Sequence, residues 1–166
     1  MRLIICTTCA VLFAFATLPA GAGSGPAGHK HDAAGFSAGE PGDAKKPARI
    51  IQVTMQERDG KMLFAPDRIE IRKGEQIKFV LHNVGELDHE FVLATTQENL
   101  EHAEMMKKNP EMRHVDPNAR RVAPKQTSEL VWKFTKKGTF EFACLIPGHY
   151  QAGMHGFNNG QVKCVS

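Results

Sequence analysis

Between Phe142 and Gly156 the chain reads Phe-Ala-Cys-Leu-Ile-Pro-Gly-His-Tyr-Gln-Ala-Gly-Met-His-Gly, which sets a thiol at Cys144, an imidazole at His149 and a thioether at Met154 at five-residue intervals. Thiolate and thioether are soft ligands and imidazole is borderline. Two imidazoles, one thiolate and a weak axial thioether make the donor set of a blue copper site rather than of zinc or a hard cation. A strand ending at Cys144, a turn through Pro147 and Gly148 and a second turn through Gly153 can aim the three side chains at one point. The remaining imidazole must come from upstream. His89, in Asn83-Val-Gly-Glu-Leu-Asp-His89-Glu-Phe-Val-Leu, opens an apolar strand pattern at a separation from Cys144 that suits a sandwich.

Other chemistries fit these residues less well. A thiol hydrolase would use Cys144 as nucleophile and His149 as base, but it needs an orienting third residue and an oxyanion loop, and it leaves Met154 without a role. Structural zinc favours several cysteines or Cys/His pairs, and a thioether is a poor zinc ligand. No substrate pocket is legible, so copper binding and electron transfer, with Cu(I) oxidation as the one turnover open to the site, are expected in place of general catalysis.

The elements that would position these ligands are strands. Ile51, Val53 and Met55 alternate with polar neighbours, Asp59-Gly60 supplies a hairpin turn, and Met62 and Phe64 follow. Ile69 and Ile71 alternate with charged residues, Lys73-Gly74-Glu75 turns the chain, and Ile77, Phe79 and Leu81 alternate again. The same parity puts His89 on the face of Phe91 and Leu93, joins Leu130, Trp132 and Phe134 on one face, and joins Phe140, Phe142 and Cys144 on another. About eight short strands at this spacing predict an all-β, antiparallel β-sandwich in which distant loops meet at one end. One helical pattern interrupts them, opened by the capping box Thr95-Thr-Gln-Glu98 and closed by Asn109-Pro110. It forms an insertion over about 95–124, with Leu100, Ala103 and Met106 against the sandwich and Lys107 and Lys108 at the negative end of the helix dipole.

A length of 166 residues leaves room for one such domain, over 48–166, behind a leader and an arm. Met1-Arg2, an apolar run of about 17 residues from Leu3 to Pro19 and then Ala20-Gly-Ala22 read as a secretory signal cleaved after Ala22, too short and too weakly flanked for a membrane anchor. Cys6 and Cys9 leave with it. Residues 23–47 hold six Gly and three Pro, with Phe36 the only large apolar side chain, and predict a flexible arm that cannot order itself. A net charge of +3 without basic blocks points to neither nucleic acid nor an anionic membrane. Two cysteines remain in the exported chain. With Cys144 a ligand, Cys164, which shares the inward parity of Val162, reads as core, and a Cys144–Cys164 bridge in metal-free protein is the alternative.

The ligand loop, together with the upstream Asn-x-Gly and His-x-Phe, resembles the cupredoxins over roughly Arg49 to Ser166, and the Cys-x4-His-x4-Met spacing is most similar to the rusticyanin type. The run Glu-His-Ala-Glu-Met-Met at 101–106 and the segment 110–118 resemble periplasmic copper-tolerance cupredoxins of the CopI kind. The resemblance implies a Greek-key topology, one type 1 copper held equatorially by His89, Cys144 and His149 and axially by Met154, and a periplasmic monomer. It also implies that electrons pass through the His149 edge to a transient redox protein docked on Pro147, Gly148 and Tyr150. Glu90 departs from the pattern, since many cupredoxins carry Asn, Ser or Thr there to tie the two ligand loops together.

Further soft or borderline ligands lie elsewhere: His29 and His31 in the arm, His102, Met105 and Met106 on the helix, and Met112 and His114 after it. His102 and Met106 are four apart and share a helix face, so a weaker second copper site at His102, Met105 and Met106 is geometrically allowed, with ordinary packing of the methionines as the alternative. Copper tolerance and electron carriage are therefore the two functions to separate.

Overall fold

Alternation of apolar and polar residues builds each strand, and burial follows it almost residue by residue. The computed structural model describes residues 35–109, 116–155 and 161–165. In chain order the described strands are β1 (Glu40–Pro41), β2 (Arg49–Arg58), β3 (Lys61–Ala65), β4 (Arg68–Arg72), β5 (Gln76–Asn83), β6 (His89–Ala94), β7 (Ala119–Val122), β8 (Thr127–Lys133), β9 (Gly138–Ala143) and β10 (Gln161–Val165). The helix α1 (Thr96–Lys108) lies between β6 and β7. In β5 the pattern is complete: Ile77, Phe79, Leu81 and Asn83 are buried and their neighbours half-buried. Between β2 and β3, Asp59 and Gly60 take φ of 54° and 73°, the doubly left-handed turn that matches the twist of a hairpin.

The strands form two five-stranded sheets, ordered β1-β8-β5-β2-β3 and β4-β10-β9-β6-β7. They pack face to face over one aromatic core. Phe91 of β6 and Phe142 of β9 stack at 5.1 Å and 20°, and Phe64 of β3 meets both edge-on, at 6.1 Å and 5.1 Å. Such rings each remove roughly 150–250 Å² from water, which makes this cluster a main support of the sandwich. The expected all-β sandwich with one helix is what the chain forms. Its sheets are mixed: β2 runs parallel to β5 and β4 parallel to β10, while the other pairs are antiparallel. Parallel neighbours require a crossover, and here β3 and β4 carry the chain from β2 back to β5 in the same direction.

Three expectations change on contact with the fold. The arm does not remain loose over its described part. Glu40 and Pro41 pair with Lys133 and Trp132, Ala38 is fully buried, Phe36 meets Trp132 edge-on at 5.2 Å, and the Ser37 hydroxyl donates to Glu98. The segment lacks a core of its own but borrows the edge of β8. Second, the insertion at 95–124 is not helix alone, because β7 pairs with β6 through His89–Val122 and Val92–Ala119. Four residues with adjacent arginines are too few to show a period. Third, α1 buries Asn99, Ala103 and Met106, whereas Leu100 is 43% exposed. Asn99 takes the inward place because its Nδ2 donates to buried Glu141 at 2.9 Å. The capping box is present in full, and Asn109 caps the other end. The backbone of Cys164 lies in β10 opposite Ile71 and Gly138, but its side chain, like the leader with Cys6 and Cys9, residues 23–34 with His29 and His31, and Met112 and His114, lies outside the described residues.

Candidate metal centre

Register brings the ligands together. Val92 pairs with Ala143 and Leu93 with Phe142, so the start of β6 and the end of β9 lie at the same end of the sandwich, carrying His89 and Cys144. From Cys144 the chain turns through Ile146-Pro147-Gly148-His149, with the His149 N–H donating to the Ile146 carbonyl at 3.0 Å and Gly148 at φ +92°, the pattern of a type II turn. A second turn closes from the Gly153 N–H to the Tyr150 carbonyl at 3.0 Å, with Gly153 at φ +100°. The loop is then pinned across its base. The Met154 N–H donates to the His149 carbonyl at 3.1 Å, and the Cys144 N–H to the Met154 carbonyl at 3.0 Å.

One donor atom from each of His89, Cys144 and His149 lies within 4.8 Å of the others, and all three residues are buried. Cys144 Sγ is 3.3 Å from His149 Nδ1 and accepts the Glu90 N–H at 3.3 Å. The two imidazole rings are 5.2 Å apart at 68°. Met154 is fully buried in the same core cluster as Cys144. Of the four expected ligands, three converge by their donor atoms, and the fourth is tied to Cys144 through its backbone. Glu90, which departs from the usual residue type, still links the ligand loops: its N–H reaches Cys144 Sγ and its carboxylate accepts the Leu145 N–H.

Burial dominates the electrostatics of the site. Burial pushes the Cys144 thiol up to about 12 against the pull of the Glu90 and Ile146 N–H groups, so at neutral pH the metal-free chain holds a thiol. Burial also lowers both histidines, with Glu57 opposing the shift at His89 and the facing His89 adding to it at His149. Neither ring nitrogen of buried His89 has a hydrogen-bond partner among the described residues, although Nε2 lies 2.8 Å from a Glu57 carboxylate oxygen. An orphaned imidazole nitrogen beside a buried thiol and a second imidazole suits a soft or borderline metal ion such as copper.

Sequence reasoning gave no role to several residues that hold this arrangement. Asn83 Nδ2 donates to the carbonyls of Leu87 and Val122, at 2.7 and 2.9 Å, and its Oδ1 accepts the Gly85 N–H at 2.9 Å, fixing the loop before His89. Glu57 reaches the same loop from β2, and its signal was legible: it continues the inward parity of Val53 and Met55 with a charge. Below the ligand loop, Glu141 is 2% exposed and accepts from Asn99 and, at 3.3 Å, from the Tyr150 hydroxyl. The Tyr150 ring stacks on His155 at 4.0 Å and 9°, and burial together with Glu141 pushes its hydroxyl up to about 12. Tyr150 is half-buried beside exposed Pro147 and Gly148. On α1, His102 and Met105 are half-buried and Met106 is buried against the sandwich. Replacing Glu141 with alanine is expected to cost about 2 kcal/mol, since the Asn99 amide and the Tyr150 hydroxyl lose a charged acceptor; urea unfolding of metal-free protein measures it.

Comparison with known proteins agrees with this arrangement. Residues 51–159 match the family of copper binding proteins described as the plastocyanin/azurin family. The chain is 50% identical over 135 residues to the copper-resistant cuproprotein CopI of Rubrivivax gelatinosus, covering 81% of this chain and 79% of that protein. It is 36% identical over 151 residues to the copper-resistant cuproprotein CopI of Pseudomonas aeruginosa, covering 74% and 81%. Among solved structures, reduced auracyanin from Roseiflexus castenholzii shares the fold with a TM-score of 0.58 at 16% identity, over 73% of this chain and all of that one.

Proposed function

Since the chain belongs to the plastocyanin/azurin family of copper binding proteins, we propose that His89, Cys144 and His149 hold one copper ion with Met154 as axial ligand, and that the protein serves copper tolerance in the periplasm. The observation that carries this reading is the buried thiol between two imidazoles, one with an unpartnered Nδ1, in a chain half identical over most of its length to a copper-resistant cuproprotein. A leader cleaved after Ala22 delivers the protein, and no helix among the described residues is long and apolar enough to cross a membrane.

When bound, copper supplies one-electron Cu(I)/Cu(II) chemistry. The chain's own part is to hold its donors still: the backbone bonds that pin Cys144 to Met154 and Met154 to His149 set the ligand positions before any ion arrives, which keeps the rearrangement between oxidation states small. The Cys144 thiol must give up its proton on binding, whereas both histidines, lowered by burial, are already neutral at pH 7. One proton is displaced, so Cu(II) affinity is expected to rise about tenfold per pH unit between roughly pH 7 and 8, as read by competition titration with a chelator corrected for its own protonation.

The preset donors also favour a second reading, a soluble electron carrier that docks a redox partner near His149. Copper stoichiometry separates the two. Anaerobic titration of reduced, metal-free protein with Cu(II) follows the visible thiolate-to-copper band against total bound copper. Tolerance predicts a band that saturates at about one equivalent with continuing silent uptake, and the triple replacement of His102, Met105 and Met106 by alanine lowers that uptake. Saturation of both signals together, unchanged by the triple replacement, favours the carrier. No band at all rejects the copper site.

A further inference from the structure

The carboxylate of Glu57 lies where three separate needs of the site converge. It stands at the end of β2, on the inward parity of Val53 and Met55, at a place the sandwich core would fill with an apolar side chain. Its Oε2 accepts the Glu86 N–H at 3.0 Å and its Oε1 accepts the Leu87 N–H at 3.1 Å, gripping the loop that leads into His89. The same Oε1 lies 2.8 Å from His89 Nε2, to the side of the ring nitrogen's axis, so the contact is electrostatic more than a straight hydrogen bond. The approach is built into the loop. A Cβ on Gly85 would come within 2.3–2.7 Å of the Glu57 carboxyl atoms, and Gly85 is not among the glycines with positive φ, so its missing side chain makes room for the carboxylate and is not required by the turn.

We propose that Glu57 is the positioning residue for His89: its carboxylate fixes the imidazole as the Nε2–H tautomer, presents the Nδ1 lone pair to copper, and tilts the site toward the oxidised ion. The proposal rests on the copper reading above and deepens it. A ring nitrogen carrying a lone pair 2.8 Å from a carboxylate oxygen would be repelled, so the proton resides on Nε2. That leaves Nδ1, which also has no hydrogen-bond partner and has no carboxylate against it among the described residues, as the lone-pair nitrogen that His89 brings to its cluster with Cys144 and His149. An anionic neighbour behind a metal-bound imidazole strengthens its donation, as in carboxylate–histidine–metal triads. Stronger donation from a full negative charge stabilises Cu(II) more than Cu(I).

The discriminating variants are Glu57→Gln, which keeps the shape and removes the charge, and Gly85→Ala, which keeps the charge and pushes it away from the loop. Cu(II) and Cu(I) affinities are measured separately by competition with chelators of each ion, and the histidine tautomers of the metal-free proteins are read by long-range proton–nitrogen NMR. In both variants the Cu(II) dissociation constant is expected to rise by roughly 10–100-fold, the cost typical of losing an outer partner of a ligand, while the Cu(I) constant moves by less than about threefold. The reduction potential rises by about 59 mV for each tenfold gap between the two. His89 in wild-type metal-free protein appears as the Nε2–H form, and in Glu57→Gln as a mixture. Equal weakening of both oxidation states would reduce Glu57 to a brace for the loop, and no change in either would remove it from the site; both results overturn the proposal. Failure of the wild-type chain to form the thiolate band would instead reject the copper site itself.

Discussion

Serine in place of Cys144 abolishes the visible thiolate-to-copper band and lowers Cu(II) affinity by more than the roughly 10–100-fold that loss of an outer partner costs. The band arises from sulfur donating charge to copper, and a serine oxygen is a hard, protonated donor in the same buried space. The fold should survive. Cys144 is fully buried, but its Sγ accepts the Glu90 N–H at 3.3 Å, and a serine oxygen can take that hydrogen bond over. Absorption titration and circular dichroism on the same sample check the result: a folded chain with the band intact would show that another thiol holds the ion.

Phe142→Ala is expected to cost about 4 kcal/mol. Phe142 precedes Cys144 by two residues and Phe91 follows His89 by two, so the stacked pair at 5.1 Å is the floor on which both ligands stand. Removing one ring opens a cavity beneath the metal end of β9, and the loss should appear twice: in the denaturation midpoint of the metal-free protein and in a weakened or shifted copper band. Phe134→Ala is the control. Phe134 is equally buried but packs on Phe79 and Phe140, at 6.4 and 6.3 Å, away from the ligands. It should destabilise by a similar amount and leave the spectrum unchanged. If both variants keep the band, the aromatic floor sets stability but not the site.

The parts of this protein legible in its sequence are those written in short-range periods. Ile77, Phe79 and Leu81 disclose β5 because burial repeats every second residue, and the Cys-x4-His-x4-Met spacing discloses the loop because its turns need Gly148 and Gly153. Thr95 and Glu98 disclose the helix start because both halves of the cap lie within one turn. What stayed hidden depends on partners far along the chain. Asn99 outcompetes Leu100 for the interior only because Glu141 waits on β9, 42 positions away. The inward parity of Glu57 is legible in β2, but its use is not, because the Glu86 and Leu87 amides that it accepts come from about 30 positions away. Glu40 and Pro41 become a strand only because β8 offers an edge, and β7 is too short and too basic to show a period. Parallel pairing of β2 with β5 has no signature in either strand, since direction is a property of the crossover.

The place of β10 has a kinetic consequence. It lies between β4 and β9, pairing parallel with Arg68–Arg72 on one side and antiparallel with Gly138–Glu141 on the other. Until it arrives, the second sheet is two fragments with facing open edges, and the strand that carries Cys144 at its end is held on one flank only. Contacts spanning such sequence distances close slowly. Before then the Cys144 thiol of a newly made chain is reachable by oxidants and stray metal ions, and the cluster of His89, Cys144 and His149 closes only after β10 has docked.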